Sequence, residues 1–169
     1  MIPKVTFHWS FGLQMYVLKS RFSAEKLERT TNKLKRFWKK HGKLILSEIE
    51  KETNLKWFRK EIKVFLFSGY HQSIPNPLLL NDWDGDKDFL IFDLTRMLIN
   101  LSFIDNGKYT FNVKIEDLYS LATSIALKIL EKNKLINKQK ILRYLCTYES
   151  FILSLKSNEK GATRKKSRK

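Results

Sequence analysis

Between Val5 and Val17 every odd-numbered residue is apolar (Val5, Phe7, Trp9, Phe11, Leu13, Met15, Val17), while most even positions are polar or small. Period-two alternation is the pattern of a strand with one face on a core. The chain therefore has to build a sheet, and a purely helical bundle is excluded. Gly12 lies inside the run and predicts a bulge or turn that divides it, because glycine weakens a strand interior and permits a bend.

Downstream the period changes to 3.6. Ser23 is placed to cap a helix from Ala24 to about Lys40, with Leu27, Leu34, Trp38 and Ile45 on one stripe and Arg29, Lys33, Arg36 and Lys40 on another. His41-Gly42 reads as a break, followed by a second helix over 43–52 that Thr53-Asn54 closes. Glu61 to Ser68 has the β-branched and aromatic content of a strand, and the prolines Pro75 and Pro77 make 69–86 a loop. A helix is expected from Asp88, with Leu90, Ile91, Leu94, Leu98 and Leu101 inward and Asp105-Asn106-Gly107 at its end. A short strand over 108–113 and two helices, Ile115–Lys132 and Asn137–Leu155, complete the pattern. This order predicts an α+β fold: a small β-sheet packed against four to five helices, as a single globular domain over 1–155. Residues 156–169 form a basic tail with nothing to anchor it, and disorder is expected there.

With 169 residues, of which 43% are hydrophobic, the chain can bury a core unaided, and its one cysteine excludes an internal disulfide. A lone thiol fits a reducing compartment, so the cytoplasm is the expected location. No apolar run approaches the ~18 residues of a membrane span, and no export signal is recognisable at the start, so no membrane partner is expected.

The net charge of +16 is concentrated in two places. From Arg29 to Lys43 there are seven basic residues and no acid, and from Lys156 onward seven basic residues face one Glu159. Cations interleaved with Phe37 and Trp38 suit phosphates and stacked bases, which makes Arg29, Lys33, Arg36, Lys40 and Lys43 candidate nucleic-acid contacts, with Arg164, Lys165 and Lys166 of the tail. A second explanation competes: Lys outnumbers Arg by 25 to 8 and Asn reaches 10, the usage of an AT-rich genome that loads any solvated face with lysine.

Asp82, Asp84, Asp86, Asp88 and Asp93 occupy positions 1, 3, 5, 7 and 12 of a twelve-residue frame, the spacing of a calcium loop and a weak Ca/Mg candidate. Lys87 stands where the sharp turn needs glycine, and Pro75 and Pro77 deny an incoming helix, which argues against a calcium loop and for a polar turn whose aspartates favour the helix N-terminus. His8, His41 and His71 lie on different elements, which argues against a zinc site. Cys146 reads as a buried, inert thiol, and Ser68-Gly69-Tyr70 lacks the glycine pattern of a nucleophile elbow. No cofactor is expected.

Residues 44–101 carry Ile49-Glu-Lys-Glu-Thr-Asn-Leu-Lys-Trp57, then Ile62-Lys-Val-Phe-Leu-Phe67, then Ser73-Ile-Pro-Asn-Pro-Leu-Leu-Leu80 and the helix Phe89 to Leu101. This succession resembles small, single-domain zinc-metallopeptidase-like proteins of prokaryotes, whose last helix bears His-Glu-x-x-His. The resemblance implies a zincin-like architecture with the zinc motif degenerate, since its positions hold Arg96, Met97 and Asn100. An arginine cannot ligate zinc and a thioether cannot act as general base. The expectation is therefore a non-catalytic domain that binds a peptide or protein partner along an exposed 62–67 strand edge. The alternative is a basic RNA- or DNA-binding accessory protein using 29–43 and the tail.

Overall fold

The structure is a computed structural model that describes residues 2–9, 24–67, 74–75, 78–81, 85–108 and 114–146. Strand β1 (Lys4–Trp9) leads through helix α1 (Ala24–Thr53) to strand β2 (Glu61–Phe67). Strands β3 (Ile74–Pro75) and β4 (Leu78–Asn81) follow, then helices α2 (Lys87–Asp105) and α3 (Ile115–Lys132). A fourth helix among the described residues, α4, covers 138–146. By internal contacts the chain forms two compact units, Met1–Ile136 and Asn137–Lys169. The α+β architecture is complete in the first.

The sheet order is β1-β2-β4-β3, with β1, β2 and β4 mutually parallel and only β3 antiparallel to β4. Parallel neighbours cannot be joined by a tight turn, and α1 supplies the crossover between β1 and β2. Ile62, Val64 and Leu66 of β2 are buried while Glu61 and Lys63 are exposed, so one face of the sheet receives the helices. The register pairs Phe7 with Val64 on the buried side and Thr6 with Lys63 on the open side. The β3–β4 pair lies inside the segment 69–86 expected to be loop. Pro75 fits there because the short edge strand needs no N–H from it, and Leu78-Leu79-Leu80 is too short to show a period.

Helix α1 runs unbroken through His41-Gly42, against the break expected there. Gly42 is buried, and a side chain added to it would overlap the Trp38 indole, so the glycine makes room for an aromatic ring instead of ending the helix. Thr53 and Asn54 do end it, with Asn54 at φ 54°. Helix α2 is buried over fourteen consecutive residues, Leu90 to Phe103, including the polar Asp93, Thr95, Arg96, Asn100 and Ser102. A helix covered on every side is the centre of a domain. It begins at Asp86, whose Oδ1 accepts from the N–H groups of Asp88 (3.0 Å) and Phe89 (3.3 Å). It ends where Lys108 N–H reaches the Phe103 carbonyl and Gly107, at φ 65°, reaches Ile104.

The segment 10–23, most of the 108–113 strand and the rest of the 137–155 helix lie outside the described residues, as does the tail. No helix among the described residues is long and apolar enough to cross a membrane.

Candidate nucleic-acid interface

Because α1 is one continuous element, its basic positions fall into phase. At about 100° per residue Arg29, Lys33, Arg36, Lys40 and Lys43 share an arc of roughly 80°. The buried Leu27, Leu34, Ile45 and Ile49 occupy the opposite side, so all five cations are exposed. Lys51 continues the stripe after Ser47, giving it a length of about 33 Å from Arg29. Lys51 is the residue the sequence pattern misses: a helix broken at 41–42 would lose its phase with 29–40.

The three acids in the C-terminal half of α1, Glu48, Glu50 and Glu52, are engaged within the fold. Glu48 Oε2 accepts from Lys132 Nζ at 2.7 Å and Glu52 Oε2 from Lys128 Nζ at 2.5 Å, both on α3. The hydrogen bond from Lys132 is the largest influence holding the Glu48 carboxyl below its ordinary pKa, opposed by desolvation and helped by the nearby Lys51 and Lys128 charges. Glu50 accepts from the Trp57 backbone N–H. Arg29 pairs with Glu25 one turn back, whereas Lys33, Arg36, Lys40 and Lys43 form no ion pair among the described residues. Beside the stripe the half-buried Phe37 and His41 rings stack with centroids 4.8 Å apart, and Lys87 Nζ lies 5.9 Å from the Phe37 centroid. Trp38 turns away from the cations, edge-on to Phe7 at 5.8 Å.

The other predicted site residues are placed differently. Arg96, Met97 and Asn100 are buried in the middle of α2 and line no open cleft among the described residues. The 62–67 strand is not the exposed edge expected of it. Strand β2 is flanked by β1 and β4, so its backbone groups already serve two neighbours. Of the acidic loop, Asp82 and Asp84 lie outside the described residues, Asp86 caps α2, Asp88 is half-buried, and Asp93 pairs with Arg96 one turn along the helix. Among the described residues no group of three or more His, Cys, Asp or Glu is arranged to hold a metal ion. His8 sits on the open face of the sheet beside Thr6 and Phe65, His41 stacks on Phe37, and His71 is outside the described residues. The Cys146 thiol is exposed, not buried, because it falls on the outward side of α4 with Arg143. Arg164, Lys165 and Lys166 lie outside the described residues.

No family model matches the chain, and no curated protein or solved structure is significantly similar to it.

Proposed function

We propose that this protein binds nucleic acid through the exposed face of α1, by contacts to phosphates and without reading sequence. The observation that carries this reading is the run of four cations, Lys33, Arg36, Lys40 and Lys43, which lie in one arc opposite the buried side and have no carboxylate partner among the described residues. A protein that only needed a solvated helix would gain from pairing such residues with acids at i+4. Here Glu48 and Glu52 of the same helix turn to α3 instead. Lysine and arginine facing a phosphate backbone gain affinity by releasing its condensed counterions, a term independent of base sequence. A flat anionic membrane is a poorer partner, since the apolar face that would insert is inside the core.

A zincin-like domain holding a peptide on the 62–67 strand is not favoured by this geometry. Strand addition needs a free edge, and the degenerate motif positions Arg96, Met97 and Asn100 need a cleft.

The deciding measurement is affinity for mixed-sequence duplex and single-stranded nucleic acid as a function of salt. Engagement of all four cations gives a log–log slope of about −4 on duplex, at about −0.9 per phosphate. The triple variant Lys33→Glu, Arg36→Glu, Lys40→Glu removes most of that slope and most of the affinity near physiological salt. Undetectable binding by the unmodified protein, or unchanged binding by the triple variant, sinks the reading.

A further inference from the structure

We propose that Arg96 anchors a binding site for a small monovalent carboxylate between α2 and α3, covered by Tyr119. The Arg96 side chain is 8% exposed, and its Nη2 donates to Asp93 Oδ1. Its Nε and Nη1 are buried with no hydrogen-bond partner among the described residues. An arginine keeps its charge even in a core, and buried charges are ordinarily satisfied on every donor. Two open donor nitrogens on a permanent cation call for an acceptor.

A third orphan lies on the facing helix. Thr123 Oγ1 is buried and unpartnered among the described residues, one turn beyond Tyr119, whose ring centroid is 4.3 Å from the Arg96 guanidinium carbon. Tyr119 and Thr123 are about 40° apart around α3, on the side away from the Lys128 and Lys132 that reach α1. The Tyr119 contact shows that this side of α3 faces α2, which puts the Thr123 hydroxyl on the same helix face as the ring that covers the guanidinium. Tyr119 is 41% exposed and thus stands between Arg96 and solvent, where rotation of its ring opens a path.

The electrostatics select the ligand class. The two guanidinium nitrogens can only donate and the hydroxyl is able to, so the ligand must be rich in acceptors. Because Asp93 already offsets the guanidinium charge, a bound anion adds net charge to the site, and one negative charge costs less there than two. A carboxylate meets both conditions and a phosphate dianion does not.

The test uses the full chain with ¹⁵N-labelled arginine, following the Nε–Hε resonances during titration with sodium acetate, with sodium chloride at matched ionic strength, and with inorganic phosphate. Acetate is expected to move one resonance saturably while chloride leaves it in place. That resonance is assigned by its disappearance in Arg96→Lys, or, should that variant not fold, by the ring-current change in Tyr119→Ala. Thr123→Val, which keeps the shape and removes the hydroxyl, is expected to weaken acetate about tenfold. The proposal is overturned by the absence of a saturable acetate-specific shift, which means that ordered water satisfies the guanidinium. It is overturned equally by an unchanged midpoint in Thr123→Val or by phosphate binding more tightly than acetate.

Discussion

Arg59 and Asp105 meet fork to fork: Nε donates to Oδ2 and Nη2 to Oδ1, each at 2.7 Å. The pair ties the connector between α1 and β2 to the last residue of α2, and the Asn106 side-chain amide reinforces it by donating to the Lys56 carbonyl. The bond to Asp105 is also the largest cause of the raised Arg59 pKa. Replacing Arg59 by lysine keeps the charge and loses the planar fork. Because Arg59 remains 37% exposed, a cost of about 1 kcal/mol is expected, readable as a lower denaturation midpoint at unchanged m-value.

Gly42→Ala reverses the usual ranking of the two residues in a helix. Alanine is ordinarily favoured by about 1 kcal/mol inside a helix. Here its methyl would meet the Trp38 indole, which is packed edge-on to Phe7, so a net loss of about 1–3 kcal/mol is expected. Trp38→Ala removes the obstacle. Combined with it, Gly42→Ala should cost much less than alone, and a double-mutant cycle with no such coupling would refute the packing explanation.

Helix α3 ends with Leu135 N–H on the Leu130 carbonyl and Lys134 N–H on the Glu131 carbonyl, with Lys134 itself at φ 54°. That left-handed position suits glycine, and a lysine pays for its Cβ there. Lys134→Gly is expected to raise stability by about 0.5–1 kcal/mol, an unusual direction for a helix-to-glycine change. Thermal unfolding measures it, and a lower melting temperature would contradict the assignment.

The Glu48–Lys132 pair predicts a two-sided pH profile. Glu48 titrates below its ordinary value in the folded state, so its contribution is present above about pH 4.3 and is lost as pH falls through the folded pKa. Lys132 titrates above its ordinary value, chiefly through the hydrogen bond to Glu48, so its contribution is present below about pH 10.4 and lost as pH rises through the folded value. Glu48→Gln should flatten both limbs of stability against pH, and the effect should shrink in high salt because both groups are near the surface. Identical pH profiles for the variant and the parent at low salt would show that the pair does not matter.

Local signals fixed the elements whose ends and faces are written in short stretches of chain. The β-branched and aromatic content of 61–68 marked β2, Asn54 and Gly107 closed two helices in left-handed conformations, and the 3.6 period of Ile115 to Lys132 matched α3 at both ends. The opposition of Leu27, Leu34 and Ile45 to Arg29, Lys33, Arg36 and Lys40 was equally legible, because both stripes follow from residue spacing alone.

What the sequence could not decide were relations between distant segments. Glycine at 42 reads as a break until Trp38 is seen to fill the space a Cβ would need, and only the continuous helix brings Lys43 and Lys51 into phase with Lys33 and Arg36. Strand 62–67 reads as an available edge until β4, drawn from a proline-flanked loop, closes its second side. Arg96, Met97 and Asn100 read as degenerate motif positions lining a cleft until sheet and helices cover α2 all round. Periodicity reports how a segment divides its own residues between two sides. Which side is solvent, and whether any is, depends on what packs against it.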